Sequence, residues 1–413
     1  MKARNSQAIL SEPILGLKAN WKQFVLLVLI NAFVGGMVGM ERSILPQIAV
    51  QEFAIASKWA ILSFIVVFGI VKAITNYFTG AMANKWGRKN LLILGWLLAV
   101  PIPFMLMYAP TWNWVVAANV LLGLNQGLAW SSTVVMKMDL VGPKQRGLAM
   151  GLNEFAGYLA VALVAFFTGY IAHQYGLRPY PFYIGIGLVF LGLFSSVFLL
   201  KDTRQHAVLE AKGQHLPPLK NVFWANTWQH KNLSSITQAG LVNNLNDGMV
   251  WGILPVLLIS KGFNLAEIGV LSAIYPAVWG LSQIITGALS DRVSKKAMLF
   301  YGMLLQAIAI LLLPSLQTYF QFAVDGIALG IGTAMVYPTF LSGIAQLTNP
   351  ADRAESMGVF RFWRDLGYAI GALLTAVVSA YWNIGYAILL VGFLTLTSAL
   401  ILKFRMDDID RVA

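Results

Sequence analysis

The sequence predicts an all-helical polytopic membrane protein of twelve transmembrane helices, built as two pseudo-symmetric six-helix bundles. Three observations lead there. Of its 413 residues, 58% are hydrophobic and only 11% charged, with a mean hydropathy of +0.69, whereas soluble domains carry about 25% charged residues. Apolar runs of roughly 18 to 25 residues, each able to cross a hydrocarbon core of about 30 Å as a helix, recur about twelve times. The stretch 80–89 (GAMANKWGRK) recurs 207 residues later as 287–296 (GALSDRVSKK), and the same offset sets Gly123 on Gly330, Arg146 on Arg353 and Gly151 on Gly358 without a gap.

In order, the spans fall at 24–48, 59–80, 91–109, 112–137, 148–172 and 179–200, then at 234–260, 265–288, 297–316, 318–346, 355–380 and 383–403. The first follows Lys2, Arg4, Glu12 and Lys18 with no removable-signal pattern, so it serves as its own insertion signal. The second and eighth each lead into one copy of the repeated motif. The fourth and tenth carry the equivalent Gly123 and Gly330; the fifth and eleventh follow Arg146 and Arg353. Pro46, Pro255 and Pro276 mark bends. Between the sixth and seventh spans lies the longest polar stretch, so the chain divides into a bundle at 1–200, a linker at 201–233 and a bundle at 234–413. The linker reads as a tether, with at most a short amphipathic helix on the membrane surface. Two halves alike in the same orientation are the sequence form of a duplicated transporter.

A net charge of +12 suggests nucleic acid until the charges are placed. On alternating sides of twelve helices, 21 of the 29 Lys and Arg fall on the side holding both termini and three (Lys58, Arg178, Lys261) on the other; Arg42, Lys72, Lys137, Arg361 and Arg364 fall within spans. That bias puts both termini in the cytoplasm and the protein in the cytoplasmic membrane. There is no cysteine, hence no disulfide or thiolate ligand. His206, His215 and His230 are too loosely spaced for a metal site. No nucleotide-binding P-loop appears, so uphill movement would draw on a gradient, and no nucleophile is paired with a base. Neither an enzyme nor a cofactor is expected.

The stretch 80–89 resembles the loop motif of the major facilitator superfamily, Gly-x-x-x-Asp-x-x-Gly-Arg-Lys/Arg, which has a weaker copy between the eighth and ninth helices; here that copy is 287–296. The resemblance covers helix count, loop position and duplication. It implies a secondary transporter with spans 1, 4, 7 and 10 around a central cavity, flanked by 2, 5, 8 and 11. It implies gating roles for Gly80, Asn84, Arg88, Gly287 and Asp291. Gly80 allows close helix approach, Asp291 suits a helix N-terminus, and Arg88 stays at the headgroups. The chain departs from the motif at Asn84, where the family has an acid, so its first latch is expected to be the weaker. Asn119 stands where drug/proton antiporters carry an arginine, and 151–157 lacks their Gly-Pro pair; both argue against a typical multidrug pump.

An ionisable side chain near the bilayer centre costs about 2.5 to 3.5 kcal/mol on insertion scales, so such residues mark function. Lys72 and Asp247 are deepest, each about 18 to 20 Å along its helix. Asp247, in a run with Asn243, Asn244 and Asn246, together with Glu154 and Glu41 are the candidate proton-coupling acids, unless Asp247 merely pairs with Lys72. Lys72, Arg42, Asn244, Arg361, Arg364, Trp130 and Tyr337 are candidate substrate contacts. Asp365 can pair with Arg361 one turn away, and the offset sets Arg361 on Glu154, opposite charges that either bridge the halves as a gate or leave two arginines for an anion. Glu41 and Arg42 either contact substrate or form an outer ion pair with Asp325. Lys137 and Asp139 read as a structural cluster near Lys144 and Arg146. The expectation is a monomer moving a small organic solute, for example an organic anion, with protons; a lipid flippase or a non-transporting sensor of the same fold is the alternative.

Overall fold

The computed structural model describes residues 13–42, 44–55, 58–212 and 216–409. Lys2, Arg4, Glu12 and His215 lie outside them. Among the described residues there is no strand. Twelve helices have transmembrane length: α1 Trp21–Arg42, α2 Lys58–Trp86, α3 Arg88–Ala99 continuing as Pro101–Met107, α4 Trp112–Val141, α5 Arg146–Tyr175, α6 Tyr183–Phe194 ending in a wide turn over Ser195–Leu199, α7 Lys231–Ser260, α8 Leu265–Ser290, α9 Lys295–Leu312, α10 Tyr319–Leu347, α11 Arg353–Tyr381 and α12 Ile384–Arg405.

Nine of the spans are long and apolar enough to cross a membrane on length and hydropathy alone; α4, α7 and α11 are not among them. These three carry Lys137 and Asp139, the asparagines 243, 244 and 246 with Asp247, and Arg361, Arg364 and Asp365. Their polar residues face protein, not lipid, since all are buried, which is how such helices are tolerated in a bilayer.

The same pairings recur in both halves: α1 with α5 and α7 with α11, α2 with α4 and α8 with α10, α3 with α4 and α9 with α10. Between the halves, α2 packs on α11 and α5 on α8. Glycines set these crossings. A Cβ on Gly80 would lie 2.5 Å from the Ala354 carbonyl oxygen, and one on Gly287 would lie 2.6 Å from that of Gly147. Contact this close gives the dispersion that drives helix association where water is absent.

Two expectations fail at helix breaks. The first span does not run to residue 48: α1 ends at Arg42, and a separate short helix, Leu45–Gln51, starts with Pro46 in its first turn, where a proline needs no intrahelical partner. Arg42 is therefore exposed at a helix end and not embedded. Pro101 interrupts α3 because it has no N–H to give. The linker carries a short helix over Arg204–Lys212, and Ala207 and Glu210 of that helix are buried.

Candidate functional site

Reading outward from Gly80 along α2 in steps of four gives Asn76 and Lys72, and the 207-residue offset maps these three onto Gly287, Gln283 and Trp279 of α8. The same walk along α5 and α11 gives Glu154 against Arg361 and Tyr158 against Asp365. Residues four apart share a helix face, so these stripes meet where the halves touch. The sequence reading missed Asn76 and Tyr158; the stripe through Gly80 and the offset were the signal that could have found them.

At mid-membrane the stripes form one polar and aromatic layer. Asp365 accepts from Asn76 Nδ2 at 2.6 Å, lies 3.7 Å from Lys72 Nζ, and takes a fork of two bonds from Arg364 at 2.6 and 2.8 Å. Asn76 in turn accepts from Ser131, and Ser131 from Arg361 Nη1. Arg361 Nη2 is 3.7 Å from Glu154 Oε1, close enough for an ion pair and too long for a hydrogen bond. Glu154 Oε1 is held by Trp130 Nε1 and Asn153. Rings complete the wall. Tyr158 lies tilted against Trp279 with ring centres 4.3 Å apart and shares a hydroxyl contact with Tyr337, Lys72 sits over Trp130, and Arg364 over Tyr337.

Several polar atoms of this layer have no hydrogen-bond partner despite burial: Arg361 Nε and Nη2, Glu154 Oε2 and Trp279 Nε1; on α7 the same holds for Asn244 Oδ1 and both side-chain polar atoms of Asn243. An unmet buried donor or acceptor costs about 1 to 3 kcal/mol, more when charged. So many together mark a place where a ligand or water supplies the partners.

The structure separates residues that the sequence grouped. Lys72 pairs with Asp365, not Asp247; Asp247 instead accepts a short bond from the Tyr275 hydroxyl. Asp365 takes Arg364, its neighbour in sequence, while Arg361 faces Glu154 across the halves. Glu41 is buried and accepts from Asn119 inside the first bundle. Among the described residues no ion pair joins Glu41 or Arg42 to Asp325, which is buried within the second bundle. Lys137 leaves the expected cluster with Asp139 and bonds the Leu27 carbonyl and Asn153.

Nearer the side holding the termini, two latches and a clamp join the halves. Asp291 accepts from the backbone N–H groups of Gly147 at 2.7 Å and Leu148 at 3.0 Å, in the first turn of α5, where the helix dipole favours a negative charge. Burial nonetheless outweighs those N–H groups and raises its carboxyl above the ordinary 3.8. Asn84 instead donates to the Ala351 carbonyl just before α11 at 2.5 Å. Arg88 does not lie at the headgroups: it is 2% exposed and pairs with Asp139 at 3.2 Å. Asp139 also lies 3.6 Å from Arg353. Glu210 of the linker helix, 4% exposed, is bonded by Arg353 at 2.7 and 2.9 Å and by Arg146, the equivalent arginines of the two halves. Burial pushes Glu210 up, but the two arginines outweigh it and hold its carboxyl below the usual 4.5.

Comparison with known proteins agrees with this architecture. The sequence profile of the Major Facilitator Superfamily matches residues 27–239 and 236–411. The chain is 22% identical over 371 residues to the multidrug resistance protein MdtG of Salmonella choleraesuis (strain SC-B67), covering 87% of this chain and 90% of that protein. Its fold is similar to that of the human organic anion transporter MFSD10 (TM-score 0.75, 16% identity, 92% and 99% covered) and of the proton:xylose symporter XylE (TM-score 0.73, 13% identity, 94% and 97% covered). Two repeated six-helix bundles meeting at glycine crossings, with the profile match spanning both, make the chain a member of the major facilitator superfamily and a secondary transporter.

Proposed function

We propose that this transporter carries a small organic anion with an aromatic or apolar body, coupled to protons. The observation that carries the reading is Arg361: it is fully buried, and two of its donors, Nε and Nη2, have no hydrogen-bond partner. Arg364 lies three residues on and Lys72 across the interface, and Trp130, Tyr158, Trp279 and Tyr337 supply ring faces around them. A guanidinium with free donors suits a carboxylate or sulfonate, and the rings suit the body behind it.

Coupling follows from competition. Glu154 is the anion now nearest Arg361; protonating it releases the arginine to a substrate anion, and deprotonating it returns the pair. Asp247, held by Tyr275, is the second coupling acid. The bundles 1–200 and 234–413 rock about this layer, with the linker 201–233 between them. The hydrogen bonds and ion pairs that join the bundles across Asn76–Asp365, Asn84–Ala351, Asp291–Gly147, Tyr158–Tyr337, Lys72–Asp365 and Arg361–Glu154 lie at this layer or on the terminal side of it, which supports a state closed on the terminal side. The 21-to-3 charge bias supports assigning that side to the cytoplasm. The protein works as a monomer in the cytoplasmic membrane. The likeness to a multidrug resistance protein supports an organic solute, although Asn119 and the missing Gly-Pro pair set this chain apart from typical drug/proton antiporters.

Melting the purified protein with benzoate or naphthalenesulfonate tests the site, since a ligand of the folded state raises its stability. A concentration-dependent rise that disappears in Arg361→Gln is expected; stabilisation by organic cations alone would sink the proposal. In proteoliposomes the same anions should move protons, and transport unaffected by collapsing the proton gradient would remove the coupling.

A further inference from the structure

Lys137 of α4 is fully buried, and among the described residues its ammonium makes no ion pair. It donates instead to the Leu27 carbonyl of α1 at 3.2 Å and to Asn153 Oδ1 of α5. A buried charge without an ionic partner is costly, and the fold does not require one here. The 207-residue offset sets Lys137 on Ile344 and Asn153 on Phe360, both buried and apolar in the second half. The polar pair occurs in the half that carries Glu154.

Asn153 ties the cation to that acid. Its Nδ2 donates to Glu154 Oε1 at 2.7 Å while its Oδ1 accepts from Lys137, so one amide spans the ammonium and the carboxylate. Asn31 of α1 pins the same residue by donating to its backbone carbonyl at 2.9 Å. The charged and titratable groups around Glu154 are Arg361 and Arg364 of α11, Lys72 of α2, Lys137 of α4, Tyr337 of α10 and Tyr158 of its own helix; α1 and α8 present the neutral Asn31 and Trp279. The two arginines move with the other half, and Lys72 is 3.7 Å from Asp365 there. Lys137, bonded only within the first bundle, stays with Glu154 whichever way the halves rock.

Resting on the reading of Glu154 as a coupling acid, we infer that Lys137 is a positioning residue for coupling: through Asn153 it supplies the charge that lets Glu154 release its proton after Arg361 has withdrawn. When the halves part on the terminal side, Arg361 leaves with α11, and a carboxylate left alone in apolar surroundings would keep its proton. A cation one amide away compensates the charge that release creates. The proton leaves from Glu154 Oε2, the oxygen without a partner, to water entering the open side; Oε1 keeps its bond to Asn153, and the Lys137 ammonium keeps its own protons.

The probe is naphthalenesulfonate, with the full-length protein in phosphatidylcholine vesicles, read in two modes. Exchange of labelled for unlabelled anion at equal pH returns every carrier loaded and protonated, whereas net uptake driven by an acidic exterior requires Glu154 to lose its proton inside. Lys137→Ile, which copies the residue at the equivalent place in the second half, should keep exchange within about twofold, lose about tenfold in net uptake with a neutral interior, and regain it when the interior is made about one to two pH units more alkaline. Lys137→Arg, which keeps the charge, should need no alkaline interior. Asn153→Leu, which breaks the bridge with both charges in place, should shift net uptake in the same direction as Lys137→Ile. Equal loss of both modes in folded Lys137→Ile overturns the role and makes Lys137 a packing residue; wild-type net uptake with a neutral interior overturns it as well. Glu154→Gln should lose net uptake at every interior pH, and net uptake that survives it overturns instead the coupling role of Glu154 on which the inference rests. Melting of each variant identifies misfolding, and Asn153→Leu provides an independent reading of the bridge.

Discussion

On the terminal side the halves cross twice, α8 on α5 and α2 on α11, and the two crossings solve one electrostatic problem with the carboxylate in different places. At the first, Asp291 caps the amides of Gly147 and Leu148, and the residue equivalent to Asp139 is Gln346. At the second the capping position is neutral, Asn84, while Asp139 sits one helix away between Arg88 and Arg353. The equivalents of Gly147 and Leu148 are Ala354 and Glu355, and Asp352 precedes them. An acid at 84 would meet two carboxylates already at the start of α11, and like charges there repel. The missing acid of the first motif is therefore a consequence of its partner, and symmetric helices do not imply symmetric charge. Glu210 spans the difference, since it binds the equivalent arginine of each crossing.

The largest effect should come from breaking both crossings at once. Glu210→Ala leaves Arg146 and Arg353 buried with less to pair with, and removing one partner of a buried pair costs about 3 to 5 kcal/mol. The population closed on the terminal side should fall, which spin labels at cysteine pairs across the interface would report on this naturally cysteine-free chain; unchanged distances would show that the linker helix is only a tether. Next, Gly287→Leu and Gly80→Leu force side chains into backbone contacts, and overpacking costs about 1 to 3 kcal/mol. Each should open its own crossing and lower transport; equal opening of both crossings by either one would mean that they are not separable.

Smaller again is Asp291→Asn, which removes the charge from the α5 N-terminus, an effect of about 0.3 to 2 kcal/mol. Asn84→Ala should cost less than this, because its bond is exposed and neutral. The sharper test is Asn84→Asp: the family residue should weaken the α2–α11 crossing here, and a gain in stability would refute the role given to Glu355 and Asp352. Finally, pH should separate the two carboxylates. Asp291 is raised by burial above 3.8, so its protonation does not weaken the closed crossing. Glu210, depressed below 4.5 by its arginines, contributes stability that is complete above 4.5 and is lost only as pH falls through its lower folded value. Acidification should thus release the Glu210 clamp while the α5–α8 crossing holds, and label distances that open at α5–α8 first would contradict these shifts.

Much of the site was legible in single residues and little of it in pairs. Lys72, Glu154, Asp247, Arg361 and Arg364 announce themselves because a charge in an apolar run is costly wherever the helix turns. Their partners do not: Lys72 was as free to meet Asp247 as Asp365, and the choice depends on the rotation of α2 against α11. Arg88 reads as a headgroup anchor in a loop, yet Asp139, 51 residues on, draws it inside. Asn76 and Tyr158 carry no charge and were overlooked, though both lie on the stripes that the offset aligns.

By itself the sequence determined what depends on local composition and on self-comparison: twelve spans, the duplication, and the glycines at the crossings. Hydropathy accumulates along one helix and a repeat is matched along one chain, so neither needs a third dimension. The tertiary structure decided that Glu210 bridges Arg146 and Arg353, that Asp139 sits between Arg88 and Arg353, and that Tyr275 holds Asp247. Each of these turns on the azimuth of one helix against another, set by side-chain packing summed over the whole interface, a quantity that no single stretch of sequence contains.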